Sequence, residues 1–266
     1  MINNIAISLT AAVIGAFLGK NIGWAIRALP GHESFHCDYL KCASCINGKK
    51  RGCYNAGSFQ DKVYILISAL VAGLSVYYFG LSVKACISWL FVLACMIVTL
   101  VDYRYYLIPD KISIHGCWAG FLYATICSAI TYFGYEPLSY NINLLDSFYG
   151  FCLGFGGLKL LAIFAYVVLG KEGMGGGDVK LLGAMGAWAG WQAVLITIVA
   201  ASLIGSIGGI SGIIYNKIKY NKKYVPMTNL IPFGPYLCIA WLLVFYLGKQ
   251  PFIQILDSYQ KWVLGY

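Results

Sequence analysis

Long runs of apolar, uncharged residues constrain this chain more than any other feature. A helix that crosses a bilayer needs about 20 mainly apolar residues. Residues 5–26 supply one such run, and further runs lie near 63–80, 82–101, 112–133, 147–169, 179–192, 193–215 and 230–248. The expected fold is therefore all-α: a polytopic membrane protein with eight transmembrane helices, of which the sixth is short. Composition agrees, because 60% of the 266 residues are hydrophobic, only 11% are charged and the mean hydropathy is +0.73. Charged residues supply about a quarter of a soluble domain. The first run has no small-residue cleavage site after it and reads as a retained helix.

The formal net charge of +9 does not indicate nucleic acid as a partner. The Lys and Arg residues gather in short connections between apolar runs instead of on one face, and lipid is the partner this distribution fits. Basic loops favour the cytoplasmic side. The loop 27–62 carries Lys41, Lys49, Lys50 and Arg51, and the connection before the last helix carries Lys217, Lys219, Lys222 and Lys223. The connection 134–147 holds Glu136 and Asp146 with no basic residue, so it belongs outside. Eight spans with the N-terminus outside satisfy all three. The expected division is a first helix at 1–26, a cytoplasmic cysteine loop at 27–62, a membrane-embedded catalytic part at 63–248 and an interfacial tail at 249–266. The tail is apolar at Phe252, Ile253, Ile255, Trp262 and Leu264 but too interrupted to span.

This topology puts two uncommon acidic residues on one face. Charge at the end of a hydrophobic helix is costly, so its presence is a functional hypothesis. Asp102 closes an apolar run and precedes Pro109 and Asp110, where proline stops helix continuation. A carboxylate paired with Arg104 or Lys111 is the simpler alternative. Asp178 ends the glycine run Gly175-Gly176-Gly177 and is followed by Val179 and Lys180. That places it at a helix N-terminus, where exposed N–H groups favour its ionised form; a capping aspartate is the simpler alternative there. The spacing and lysine of a Walker A loop are absent. Two carboxylates brought close do not both ionise readily, so one keeps a proton while the other acts as base toward a shared water. That division of labour is what an aspartic protease needs.

With these motifs in view, the sequence resembles the type IV prepilin peptidases, relatives of the GxGD intramembrane aspartic proteases. Gly175-Gly176-Gly177-Asp178 fits the GxGD motif, and Glu172, Lys180, Leu181, Leu182, Gly186, Ala187 and Trp188 look like its surroundings. Asp102 with Leu107, Pro109 and Asp110 looks like the other motif, in which the first aspartate is catalytic. Pro232-Phe233-Gly234-Pro235 opens the last helix as in these enzymes, and Gly15, Phe17 and Leu18 loosely resemble their N-terminal signature. The resemblance implies Asp102 and Asp178 as catalytic residues, with Gly175, Gly177, Pro109 and Lys180 supporting them. It also implies prepilin or pseudopilin substrates of type IV pili or type II secretion, a bacterial inner-membrane location with the active site facing the cytoplasm, and N-methylation with S-adenosylmethionine.

Cys37, Cys42, Cys45 and Cys53 cluster in the 27–62 loop. On a reducing face four thiolates suit tetrahedral zinc. Three of them with His36, or four free thiols, are alternatives, and a disulfide would require the opposite topology. The resembled family carries two CxxC pairs in this loop, whereas here only Cys42 and Cys45 form one. The other six cysteines lie within apolar runs, where cysteine packs as a small hydrophobe. A proton-coupled transporter would also use membrane carboxylates, but it calls for midplane acids and internal repeats, and no repeat is evident.

Overall fold

The computed structural model describes residues 2–28, 59–135, 142–170, 175–220 and 232–252, with 254, 258 and 261. Most of these are helical with no strand among the described residues, and five helices are long and apolar enough to cross a membrane. The chain is an all-α, multi-pass membrane protein. It divides into two compact units, one reaching Pro109 and the other beginning at Asp110. The cysteine loop and most of the tail lie outside the described residues.

In the first unit, α1 (Ile2–Ala28), α2 (Phe59–Phe79) and α3 (Val83–Tyr105) pack through small residues. A Cβ on Gly15 would stand 2.6 Å from the Ala72 Cβ, and one on Gly19 would stand 2.7 Å from the Ser68 Cβ. Glycines four apart let two backbones approach where lipid offers no hydrophobic driving force. Ser68 Oγ exploits the approach by donating to the Gly15 carbonyl at 2.7 Å. Ser75 and Ser88 join α2 to α3 through hydroxyls 2.9 Å apart. Ile22, Tyr64 and Val101 form the buried centre, with Leu93, Met96, Ile97 and Leu100 around it.

The second unit contains α4 (Asp110–Tyr132), α5 (Leu144–Phe151), a π-helical turn (Cys152–Gly157), α6 (Leu158–Leu169), α7 (Gly176–Tyr220) and α8 (Gly234–Leu247). Against α7 pack α4, α5, the π turn and α8. Here too glycine sets the spacing. A Cβ on Gly150 would strike the Gly186 carbonyl and the Gly190 backbone, and one on Gly154 would stand 2.6 Å from the Leu182 carbonyl oxygen. Trp188 donates from Nε1 to the Gly116 carbonyl at 2.8 Å and stacks on Tyr123. By contrast α6 turns a mainly exposed apolar surface outward, including Leu160, Phe164 and Val167, as expected of a helix facing lipid.

Helix boundaries depart from the sequence expectation in physically informative ways. The sixth and seventh expected spans form one element, α7, interrupted at Gly190 with φ 80° and ψ 175°. That conformation is essentially restricted to glycine, and it falls close to the expected boundary at 192. Before the break, residues 176–189 are too short to cross a hydrocarbon core of about 30 Å unaided. The third helix runs on to Tyr105, so Asp102 lies in its last turn instead of just beyond it. The helix bounds of α7 also take in Lys217 and Lys219, which the sequence assigns to a connection.

Candidate active site

Asp102 is carried by the buried side of α3. Val98 and Val101 are fully buried, and Asp102 itself is 6% exposed. The helix stops through Tyr106, which adopts the left-handed conformation (φ 53°, ψ 37°) and donates its N–H to the Asp102 carbonyl at 2.8 Å. Ile108 and the fully buried Pro109 follow, and α4 begins at Asp110. A carboxylate placed in this last turn is fixed by the buried valines before it and by the capped backbone after it.

Asp178 occupies the first turn of α7, which begins at Gly176. Its Oδ1 is buried. Its Oδ2 reaches back over Gly175, where a Cβ would stand 3.3 Å away. Three residues into a helix is the position from which a carboxylate turns back toward the cap. Any side chain at position 175 would crowd that carboxylate. Gly177 is half-buried in the same turn, while 171–174 lie outside the described residues.

Lys180 ion-pairs with Asp110, Nζ to Oδ2 at 2.5 Å. The pair ties the first residue of α4 to the first turns of α7. Asp178 precedes Lys180 by two residues, about 200° around the helix. An ion pair on one side therefore fixes the rotation of the turn that presents Asp178 on the other. The sequence singles out Lys180 as motif support and Asp110 as the non-catalytic aspartate; their pairing across 70 residues has no sequence signal.

Beside this turn lies a cavity of about 430 Å3 within the second unit, lined by Ser113, Ile114, Cys117, Trp118, Phe121, Phe151, Phe155 and Lys180. Sequence reasoning missed it, because its walls come from three separated apolar runs. Among the described residues no group of three or more His, Cys, Asp or Glu is placed to hold a metal ion. Cys37, Cys42, Cys45, Cys53 and His36 lie outside them.

A multi-pass helical protein with one carboxylate ending a span and another opening one has the parts of a membrane peptidase, and comparison with known proteins supplies the family. Residues 89–210, which include both aspartates, match the type IV leader peptidase family. The chain is 31% identical over 224 residues to a prepilin leader peptidase/N-methyltransferase of Pseudomonas aeruginosa, covering 83% of this chain and 70% of that one. It is 33% identical over 227 residues to the Aeromonas salmonicida protein of the same name (83% and 66%). The Stutzerimonas stutzeri protein of that name is 29% identical over 231 residues (84% and 73%). The chain belongs to the type IV leader peptidase family, and so is an enzyme of the prepilin peptidase class. It spans about two thirds to three quarters of the length of these relatives. No solved structure matches.

Proposed function

We propose that this chain removes the leader peptide from type IV prepilins or pseudopilins at the membrane boundary, with Asp102 and Asp178 as the catalytic pair. One observation carries the reading: the family match encloses both aspartates, and each stands in a terminal helical turn with its backbone fixed. In the proposed reaction the ionised carboxylate takes a proton from water as the oxygen attacks the scissile carbonyl. Meanwhile the protonated carboxyl hydrogen-bonds to the carbonyl oxygen. The tetrahedral intermediate collapses, the C–N bond breaks, and the leaving nitrogen takes up a proton. Helical substrate must unwind locally first, since its carbonyls are otherwise bonded within the helix.

The relatives' name supports a second step, transfer of a methyl group from S-adenosylmethionine to the new amino terminus. The basic connections support an inner-membrane orientation with both aspartates toward the cytoplasm. Zinc held by Cys37, Cys42, Cys45 and Cys53 is proposed on the chemistry of four thiolates alone; elemental analysis of purified protein decides it, and absence of stoichiometric zinc retires it. To test the main reading, purified full-length protein is incubated in detergent with a synthetic prepilin and S-adenosylmethionine, and the products are weighed by mass spectrometry. Loss of the leader is the expected result, with one added methyl if the second activity is present. An intact prepilin would overturn the peptidase reading.

A further inference from the structure

Three elements of the second unit converge on the break in α7. Gly190 adopts φ 80° and ψ 175°, and Gly248, which ends α8, adopts nearly the same conformation at φ 76° and ψ −179°. Both lie in a region that is essentially restricted to glycine. Beyond the turn at Gly248, the half-buried Lys249 comes back against the break. A Cβ built on Gly190 would stand 3.7 Å from Lys249 Nζ and 3.6 Å from the Asp146 Cβ. Asp146 belongs to the first turn of α5, and its neighbour Ser147 donates to the Ala187 carbonyl at 2.6 Å. An ammonium from the end of α8 and a carboxylate and a hydroxyl from α5 thus meet at one point.

The break calls for such groups. Residues 176–189 form a half-helix about 21 Å long, too short for a core of about 30 Å, so its far end lies within the membrane. The last carbonyls of a helix lack intrahelical donors, and hydrocarbon supplies none. A cation at this end also complements the helix dipole, and Asp146 beside it compensates the charge, as burial requires. A lysine after a membrane helix ordinarily extends toward the headgroups; this one is turned inward. Along its length the half-helix meets α5 and the π turn through glycines, Gly186 against Gly150 and the Leu182 carbonyl against Gly154. Such contacts set separation but interlock no side chains, so directional polar ties must fix the axial position. Lys180–Asp110 is the tie at the Asp178 end. At the other end Trp188 holds the half-helix to α4, Ser147 holds it to α5 and Lys249 links it to α8.

Resting on the peptidase reading above, we infer that Lys249 is a positioning residue: its ammonium, seated with Asp146 at the Gly190 break, fixes the depth and tilt of the half-helix that presents Asp178. Asp178 and Gly190 are twelve residues apart in one helical rod, a distance of about 18 Å. Lys249 therefore acts through the rod and not on the substrate. Misplacing a reacting group by about 1 Å can cost about 100-fold in rate. Substrate contacts are left in place, so the effect of losing Lys249 falls on kcat and not on KM.

The test compares full-length wild type, Lys249→Met and Lys249→Arg in detergent on a synthetic prepilin, below the unfolding midpoint of each. Lys249→Met should lower kcat about 10- to 100-fold with KM changed by less than about twofold. Lys249→Arg, which keeps the charge and the reach, should recover most of the loss. A lysine that only stabilises the fold, or only anchors the chain to lipid headgroups, would leave kcat per folded molecule unchanged. That result would overturn the inference, and so would a loss confined to KM. Hydrogen–deuterium exchange gives a second readout that needs no activity. In Lys249→Met, faster exchange should be confined to residues 176–189 and be strongest at 186–189; exchange that is unchanged there, or raised equally along the chain, counts against the inference. If Lys249→Met does not fold, Lys249→Gln is scored by the same two measurements. Should wild-type protein cleave nothing, the peptidase reading fails by itself, and the exchange pattern alone decides whether Lys249 holds the half-helix.

Discussion

Ser147 donates its hydroxyl to the carbonyl of Ala187 at 2.6 Å, three residues before α7 breaks at Gly190. The last carbonyls before a helix break lose their usual donors four residues on, and a buried carbonyl without a partner is costly. A serine from α5 thus satisfies the backbone that the glycine leaves open. Ser147→Ala should lower stability by about 1–3 kcal/mol, read as a fall in the thermal midpoint of the purified protein in detergent. Ser147→Thr, which keeps the hydroxyl, should recover part of the loss.

Gly190 should tolerate no other residue. Its φ of 80° with ψ 175° costs a side-chain-bearing residue about 1–3 kcal/mol. A Cβ there would meet only ordinary contacts, 3.5 Å from the Asp146 carbonyl oxygen and 3.7 Å from Lys249 Nζ, so the cost is one of backbone conformation. Gly190→Ala is expected to reduce the yield of folded protein, while Gly156→Ala, where nothing lies within 4 Å, should cost less than about 1 kcal/mol because no backbone conformation is forced. The comparison is made on thermal midpoints.

The glycine contact between α5 and α7 is less forgiving still. A Cβ on Gly150 meets backbone, not the end of a flexible side chain, so relief requires the helices to separate. Overpacking of this kind costs about 1–3 kcal/mol or more. Gly150→Val should lose more stability than Ser147→Ala, and a midpoint equal to wild type would contradict the packing.

Lys249 lies just beyond α8 and supplies a pH dependence. Burial pushes its ammonium below the ordinary lysine range, with the nearby Asp146 carboxylate pulling it partly back. The folded state therefore releases this proton at lower pH than the unfolded chain does. Its unfavourable contribution is complete below the folded value and is relieved as pH rises through it. The difference in stability between Lys249→Met and wild type should shrink with rising alkaline pH; a pH-independent difference would show that the ammonium is not desolvated.

Much of this was legible in advance, and the residues show why. Apolar runs are set by the bilayer, so the helices appear where hydropathy puts them, and Gly175-Gly176-Gly177-Asp178 marks the start of α7 because glycine and aspartate act locally. The break at Gly190 shows in the sequence only as the division between two apolar runs at 192, since one glycine among many carries no label for positive φ. The Asp110–Lys180 ion pair and the aromatic wall of Phe121, Phe151 and Phe155 join distant segments, and nothing at either end names the other. Asp102 illustrates both cases: its rarity singled it out, while its place inside the last turn of α3 required the left-handed cap at Tyr106.

The central claim is that Asp102 and Asp178 act together, and leader cleavage by the Asp102→Asn and Asp178→Asn variants tests it most directly. Each is purified in detergent, shown to match wild type in helicity and elution volume, and assayed on a synthetic prepilin with the products weighed. The account predicts a loss of at least about 1000-fold in kcat for either variant, of the size seen when a group essential to proton transfer is removed. Cleavage within tenfold of wild type by either folded variant would contradict it.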